Sequence, residues 1–283
     1  MSKGFLVLAQ NTQDTDYVRQ AYALALSIKH SQHTVTSISL ATNNIVPDEY
    51  KSVFDHIVEI PWITVTDETR FRAENRWKLF HITPYDETMV LDTDMLMLED
   101  ISSWWEYCEN YDIKFCSRVK NHKLETVNAS VYRQTFASNN LPEPYFALHY
   151  FKKSQPALEF YKVLEFVITH WDFCRGTFAP NNPQEWVSMD LASAIAIEIS
   201  GLHSDAIDNC NPMEFIHMKP LIQGWPLRYE SWQDAVPYVF NSRGELVVSN
   251  IRQSRLFHYV EDRFLSNRII LTLEKLVNEK EKN

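Results

Sequence analysis

Short apolar runs of strand length alternate with helical patterns through the first 115 residues, and this alternation most constrains the fold. After the capping residues 14–16, apolar side chains recur at helical spacing as far as about Lys29. The strand-like runs cover residues 5–9, 35–41, 57–60 and 88–91. Strands alternating with helices favour helices packed on a largely parallel sheet. The sequence therefore predicts an α/β fold with a mostly parallel central sheet.

The second half of the chain is less regular but continues without a break. Its pattern predicts a strand over 146–152, helices over 155–169 and 190–199, and a charged helix or frayed tail over 271–282. No internal repeat or low-complexity linker divides the 283 residues. We expect one domain over 1–283, with a first half over 1–115, a second half over 116–270 and a terminal segment over 271–283.

Composition excludes several classes of protein. With 27 Lys+Arg and 37 Asp+Glu the net charge is −10, which argues against a protein that coats nucleic acid. The five glycines are scattered, so neither a dinucleotide-binding GxGxxG motif nor a phosphate-binding P-loop is present. The four cysteines lack paired metal-ligand spacing and are expected to be buried free thiols.

Hydropathy predicts a protein outside the membrane. No apolar run approaches the ~18 residues that span a bilayer, and the first ten residues lack the small-residue cleavage site of a signal peptide. We therefore expect a cytoplasmic location and no membrane partner.

A pair of carboxylates stands at the end of the strand predicted over 88–91. Asp92 and Asp94 follow Val90-Leu91 and precede the apolar run 95–98, which brings them to the edge of a buried sheet. Ligands bind at this edge in open α/β sheets. Two carboxylates there repel each other unless they share a cation, and open oxygen ligands suit Mg²⁺ or Mn²⁺. The alternative is a solvated turn.

The residues around this pair resemble the signature of a known enzyme family. Lys78, the turn Ile82-Thr83-Pro84-Tyr85 and the run Leu91–Asp94 are similar to the pattern of family 8 glycosyltransferases, the glycogenin and galactosyltransferase-like group. The similarity covers residues 3–105 clearly and 185–260 loosely. It implies a GT-A fold, a nucleotide-sugar donor (a UDP-sugar above all) and a divalent metal, Mn²⁺ or Mg²⁺.

The resemblance also implies a third metal ligand. The family supplies a histidine from a segment of the form HxxGxxKPW, which residues 215–220 and the pair Gly224-Trp225 resemble with the glycine and lysine displaced. His217 would then join the two aspartates, and Lys219 would contact the diphosphate. His258 is the rival ligand, although its apolar neighbours also suit a core histidine.

Further residues take roles from the same resemblance. Lys78 would reach the donor phosphates or sugar, unless it is a helix-surface lysine. Asp190 would lie near the acceptor and sugar, unless it only caps its helix. Catalytic roles are thus expected of Asp190, Lys78 and Lys219. The residues expected to bind the donor are Ala9, Gln10, Asn11, Thr12, Tyr17, Lys78, Thr93 and Lys219.

The implied reaction transfers a sugar with retention of configuration. Metal and Lys219 would stabilise the leaving diphosphate while an acceptor hydroxyl enters on the same face. The family's FNSG-like segment is replaced by residues 145–150, so the donor sugar is not specified.

The acceptor is predicted from a second resemblance, to glycosyltransferases of T-even-like tailed phages, some of which modify hydroxymethylated bases of phage DNA. A basic stretch that could follow phosphates comprises Arg118, Lys120, His122, Lys123, Lys152 and Lys153. Aromatic residues that could stack an extruded base are Tyr132, Trp171 and Trp186. A solvated loop and core aromatics explain the same residues equally well.

Other functions remain open at this stage. The acceptor could instead be a glycan, lipid or protein hydroxyl, or the chain could be an inactive relative that only binds a nucleotide sugar. A nucleotidyltransferase would need a glycine-rich first loop, and residues 10–15 contain no glycine. Oligomeric state is not predicted.

Overall fold

The computed structural model of the protein describes residues 1–62, 73–127, 133–182, 184–219 and 231–282. Its strands are β1 (Lys3–Leu8), β2 (Ile38–Ala41), β3 (His56–Val58), β4 (Glu87–Leu91), β5 (Met95–Met97), β6 (Ile113–Cys116), β7 (Arg118–Lys120), β8 (Thr126–Val127), β9 (Tyr145–Lys152), β10 (Glu214–His217), β11 (Tyr238–Phe240), β12 (Leu246–Val248), β13 (Ile251–Arg252) and β14 (Leu256–His258).

Helices connect these strands and cover the sheets. They are α1 (Tyr17–Ser31), α2 (Asp48–Lys51), α3 (Leu79–Ile82), α4 (Ser102–Cys108), α5 (Gln134–Ser138), α6 (Gln155–Thr169), α7 (Trp171–Phe178), α8 (Met189–Ser200), α9 (His203–Ala206), α10 (Trp232–Ala235) and α11 (Asn267–Glu281), with short 3₁₀-helices at Ala73–Lys78 and Asp262–Phe264. Within the described ranges, no helix has the length and apolar character needed to cross a membrane.

The main sheet has the strand order β3-β2-β1-β4-β9-β6. Strands β1 to β4 are parallel, and β9 runs antiparallel to both β4 and β6. Side chains of β1 alternate between two hydrophobic clusters: Phe5 and Val7 pack on one face, Leu6 and Leu8 on the other. Burial on both faces explains why this strand is a continuous apolar run. The predicted α/β fold with a mostly parallel sheet is confirmed.

A second sheet is built mainly from strands of the second half of the chain. Its order is β5-β14-β10-β7-β8, in which β14, β10 and β7 are parallel and β5 pairs antiparallel with β14. Strand β5 belongs to the first half of the sequence, whereas β9 of the second half enters the main sheet. The predicted division at residue 115 therefore does not coincide with the division between the two sheets.

The long helices follow the sequence closely. Helix α6 spans the predicted residues 155–169, and α8 contains the predicted helix 190–199. Helix α11 begins at Asn267, four residues before the predicted start, because Ile269 and Ile270 are also buried. Its Lys280 donates to the carbonyls of Lys29, His30 and Gln32, which ties the terminal segment to the end of α1.

Candidate metal and donor site

The carboxylate pair lies between β4, which ends at Leu91, and β5, which begins at Met95. The Asp92 backbone N–H donates to the Ala147 carbonyl at 3.0 Å, which fixes the pair at the carboxyl edge of the main sheet. Thr93 is buried, and its hydroxyl donates to the side-chain oxygen of Gln20 on α1 at 2.9 Å. The carboxylates of Asp92 and Asp94 meet on a common side, since one oxygen of each lies within 4.8 Å of the other.

His258 completes a three-residue cluster with this pair. Its Nε2 lies 3.0 Å from Oδ2 of Asp94. One ligand atom each from Asp92, Asp94 and His258 lie within 4.8 Å of one another. Antiparallel pairing of β14 with β5 sets His258 opposite Met95, and the Tyr259 N–H donates to the Asp94 carbonyl. The neighbouring sheet thus brings a histidine 164 positions away in sequence to the carboxylates.

Asp94 and His258 shift each other's pKa. Burial works to lower the pKa of His258, but the charge and hydrogen bond of Asp94 outweigh it and raise that pKa above its usual value. Burial likewise works to raise the pKa of Asp94, and His258 outweighs it, so the pKa of this carboxyl is lowered. Each partner thus favours the charged form of the other when no cation competes.

The chain turns sharply directly after the histidine. Val260 has a φ of 66°, a left-handed conformation that disfavours a β-branched residue and costs about 1–3 kcal/mol. Such strain persists only where surrounding contacts impose it. Here those contacts include the backbone bonds of Tyr259 and Glu261, the latter donating to the Tyr259 carbonyl at 2.7 Å.

His217 lies beside the cluster rather than in it. Its ring stacks on His258 with centroids 4.6 Å apart and contacts Tyr145 and Phe215 edge-on. Burial lowers the pKa of His217 well below its usual value, assisted by the charges of His258 and Lys219. The structure therefore brings both predicted histidines together, with His258 at the carboxylates and a neutral His217 behind it.

Arg76 is a candidate site residue that the sequence analysis missed. Its Nη1 lies 3.1 Å from Oδ1 of Asp92, and both side chains are about three-quarters buried. Arg76 belongs to the 3₁₀-helix Ala73–Lys78. With three residues per turn, the side chains of Arg76 and Lys78 point in different directions. The signal was its position two residues before Lys78, inside the segment that carries the family resemblance.

Lys78 is buried and bonded to the protein itself. Its ammonium donates to the carbonyls of Pro61 and Trp62 at 2.7 and 2.6 Å and to the side-chain oxygen of Asn75 at 2.7 Å. These bonds use all three hydrogens of the ammonium. Burial lowers the pKa of Lys78. The side chain, only 1% exposed, is thus buried rather than on the helix surface, and its hydrogen bonds lie within the protein.

The predicted donor-binding segment forms the loop from β1 to α1. Ala9 continues the pairing of β1 with β2, and buried Gln10 accepts from Asn75 at 3.1 Å. The Asn11 side chain accepts from the Val18 N–H, and the Thr12 hydroxyl accepts from the Thr15 N–H. Both therefore stabilise the entry to α1.

Tyr17 lies at the same edge as the carboxylates. Burial raises the pKa of its phenol, and the charges of Asp94 and Asp92 raise it further, against the opposing charge of Arg76. The loop after β1 and the carboxylates after β4 thus share the carboxyl edge of two adjacent parallel strands.

Asp190 lies in the first turn of α8 and is fully engaged by the protein. One carboxylate oxygen accepts from Arg133 at 3.0 Å and the other from the Phe146 N–H at 2.8 Å. Burial raises the pKa of Asp190 against the effect of Arg133; the charges of Lys219 and Asp92 also reach it. Lys219 affects His217, His258 and Asp190 alike, which places its charge beside the site.

Several predicted nucleic-acid contacts are bonded within the protein. Lys120 pairs with Glu214, Arg118 donates to the Asn211 carbonyl and Lys152 to the Glu109 carbonyl. His122 and Trp171 are buried, whereas Trp186 is exposed. Tyr132, Gly224 and Trp225 lie outside the described residues.

The comparisons with known proteins define the fold. The galactosyltransferase LgtC, solved with donor and acceptor sugar analogues, is 10% identical with a TM-score of 0.51, over 97% of this chain and 95% of LgtC. Mouse xyloside xylosyltransferase 1 is 12% identical with a TM-score of 0.50, over 91% of this chain and 97% of that protein. The chain has the GT-A fold of these glycosyltransferases, as predicted.

A third similar structure is longer than this chain. The glycosyltransferase GlyE of Streptococcus pneumoniae is 11% identical with a TM-score of 0.47, and the match covers 98% of this chain but 60% of GlyE. No protein-family model and no curated protein matches the sequence.

Proposed function

We propose that the protein is a metal-dependent glycosyltransferase that moves a sugar from a nucleotide-sugar donor, a UDP-sugar above all, to an acceptor hydroxyl. The observation that carries this proposal is the convergence of Asp92, Asp94 and His258 at the carboxyl edge of the main sheet. That edge is where ligands bind in open α/β folds. The fold shared with LgtC adds support.

The three side chains suit a divalent cation. Two carboxylate oxygens and one imidazole nitrogen form a mixed donor set, which suits Mn²⁺ and is compatible with Mg²⁺. The Nδ1 atom of His258 is buried with no hydrogen-bond partner in the described residues. No hydrogen bond from these residues at that atom therefore holds the ring away from the cation. We assign the ligand role to His258, and His217 packs against it. When bound, the ion would offset negative charge on the leaving diphosphate.

The surrounding residues would bind and orient the donor. Tyr17, at the entrance of α1, offers a ring for the base, and the loop at Asn11 and Thr12 closes that end. Arg76 and Lys219 supply positive charge beside the carboxylates, which favours a diphosphate there and its charged leaving form. Lys78 holds the backbone at Trp62, a positioning role.

Asp190 would orient the sugar or acceptor through its helix rather than by transferring a proton, because both of its oxygens are already bonded. Retention of configuration is proposed from the family resemblance. The acceptor hydroxyl is proposed to lie on a glycan, a lipid, a protein or a hydroxymethylated base of phage DNA.

The test is a search for product. The protein is incubated with Mn²⁺ and each of a panel of UDP- and GDP-sugars, and release of the nucleoside diphosphate is measured with and without a metal chelator. We expect chelator-sensitive release from one donor. Release that the chelator leaves unchanged would contradict the metal site, and no release from any donor would contradict the transferase.

A further inference from the structure

An exposed aromatic platform, formed by Trp62, Trp77 and His81, lies next to the donor site. The two indole planes are parallel within 4°, with centroids 6.3 Å apart. His81 stands edge-on to both, at 6.2 Å from Trp62 and 5.9 Å from Trp77. Trp62 is 67% exposed, His81 is exposed and Trp77 is half-buried. The platform therefore offers aromatic surface and an imidazole to solvent together.

The protein holds this exposed indole against local preference. Trp62 has a φ of 51°, a left-handed conformation that is rare for a bulky residue. Its carbonyl and that of Pro61 accept from the buried Lys78 ammonium, which also lies 5.6 Å from the Trp77 ring centroid. The buried Lys78 ammonium thus stabilises the strained backbone of Trp62, and the ring of Trp62 is exposed to water. Strain of this kind is concentrated at functional sites.

The same short helix links the platform to the site. Trp77 lies in the 3₁₀-helix Ala73–Lys78, whose Arg76 contacts Asp92 and whose Asn75 donates to Gln10. Asn75 also accepts from Lys78. Three hydrogen bonds therefore connect the Trp62 backbone to the end of β1.

We propose that this platform binds a carbohydrate acceptor, with a sugar ring packed on the Trp62 indole; the assignment to an acceptor rests on the proposed transferase function. One face of a pyranose presents C–H groups, which pack on an aromatic face, while its hydroxyls need polar partners at the edge. His81 can donate or accept such a bond. The platform supplies both kinds of contact.

The charge of the chain favours a carbohydrate over a nucleic acid as ligand. A nucleic acid binds chiefly through cations that neutralise its phosphates. The chain carries a net charge of −10, and Lys120 and Arg118 are bonded to Glu214 and to the Asn211 carbonyl. A neutral oligosaccharide needs no such cations.

The test measures direct binding without a donor. Maltotriose, cellotriose and chitotriose are titrated while the intrinsic tryptophan fluorescence is recorded, with oligothymidylate of similar length in parallel. At least one trisaccharide should quench the emission of the wild-type protein. Trp62→Ala should raise its Kd about tenfold or more, a loss typical of one stacking contact.

Two further variants make the result specific. Trp62→Gly removes the ring and relieves the backbone strain, so it separates lost binding from lost folding. Phe173→Ala removes an aromatic ring that is also 67% exposed, on α7, and should leave the Kd unchanged. No quenching by any trisaccharide, or equal Kd values for Trp62→Ala and wild type, would overturn the proposal. Binding of oligothymidylate alone, lost in Trp62→Ala, would overturn it in favour of nucleic acid.

The proposed function is tested apart from the platform by adding UDP and Mn²⁺ to the wild-type protein and measuring its melting temperature. If UDP stabilises the protein but no trisaccharide binds, the platform is rejected and the transferase stands. If trisaccharides bind through Trp62 and UDP has no effect, the carbohydrate site stands and the transferase is rejected.

Discussion

Two carboxylate–cation contacts of equal length differ in how completely the protein satisfies them. Asp94 meets His258, and Asp190 meets Arg133, each at 3.0 Å. At Asp190 both oxygens are bonded, and Arg133 also donates to two carbonyls and lies 3.8 Å from the Tyr145 ring centroid. This contact is complete and locks the start of α8 to β9.

The contact at Asp94 belongs to a cluster instead. In the part of the chain that the structure describes, side-chain donors reach one oxygen of Asp92 and one of Asp94. Because so few donors reach these two like charges, their repulsion costs free energy. A bound cation would remove that cost. The comparison teaches that closeness of opposite charges does not identify a site; unsatisfied ligand capacity at a sheet edge does.

The largest effect is expected from Asp94→Asn. The change removes one negative charge from the cation site but keeps the shape of the side chain, so the fold should be retained. Turnover should fall on the order of 1,000-fold, as loss of several kcal/mol of charge stabilisation requires. Nucleoside diphosphate release measures it, and near wild-type turnover would show that Asp94 binds no essential metal.

Asp190→Ala should act on stability. It removes the carboxylate 3.0 Å from the Arg133 guanidinium, which is 3% exposed, and leaves Glu143 at 3.8 Å, a loss that costs about 3 kcal/mol. Denaturant unfolding measures the loss. Asp172→Ala is the control, because its contact with Arg175 is 3.9 Å long and Asp172 is 89% exposed; this change should be near neutral. Equal stability of the two variants would break the contrast drawn above.

Mn²⁺ affinity should distinguish the roles of the two stacked histidines. His258→Ala removes a proposed ligand, so Mn²⁺ affinity should fall at least ~10- to 100-fold, the loss seen even for outer-shell partners. His217→Ala removes a ring that packs behind it and should weaken Mn²⁺ binding less. Calorimetric titration with Mn²⁺ decides the order, and a larger loss for His217→Ala would return the ligand role to His217.

A third histidine sharpens the comparison through pH. His149 is buried, with Nδ1 on the Phe146 carbonyl and Nε2 on the Tyr161 hydroxyl, and burial lowers its pKa to about 3. Between about pH 6.5 and 3 the unfolded chain binds one more proton at this residue than the folded chain, so stability falls as pH falls, by ~1.4 kcal/mol per unit. Unfolding of His149→Gln should show a shallower acid slope than wild type. An unchanged slope would mean that His149 is charged in the folded state.

The opposite sign is expected at His258, and the same sign at Asp94. The raised pKa of His258 contributes stability that is present below its usual value and lost as pH rises through the folded value. The lowered pKa of Asp94 contributes stability that is lost as pH falls through the folded value. The pair therefore stabilises the fold most between those two limits.

The sequence predicted the elements that depend on local pattern. Helix α6 and the aspartates after β4 follow from periodicity and from the end of an apolar run. His258 was predicted only as the rival ligand, because antiparallel pairing of β5 with β14 is a long-range contact between short strands that local pattern does not reveal. Strand order, which no motif encodes, separates His258 from His217, since the two lie at the same register on adjacent strands and β14 is the strand next to β5.

The fate of Lys78 shows a second limit. A motif fixes which residue type is present but not which atoms it meets. Here the ammonium is bonded to the carbonyls of Pro61 and Trp62, and Arg76 contacts the Asp92 carboxylate instead. The direction of each side chain follows from the 3₁₀ turn, which the apolar spacing did not distinguish from an α-helix.

The central claim is that Asp92, Asp94 and His258 hold a divalent cation that recruits a nucleoside diphosphate. The most direct measurement is the melting temperature of the wild-type protein and of Asp94→Asn with UDP, with Mn²⁺, and with both together. A ligand that binds only the folded state stabilises it by mass action. We predict a clear rise for wild type with both ligands, larger than the sum of the separate rises, and none for Asp94→Asn. An equal rise in the two proteins, or no rise in either, would contradict the claim.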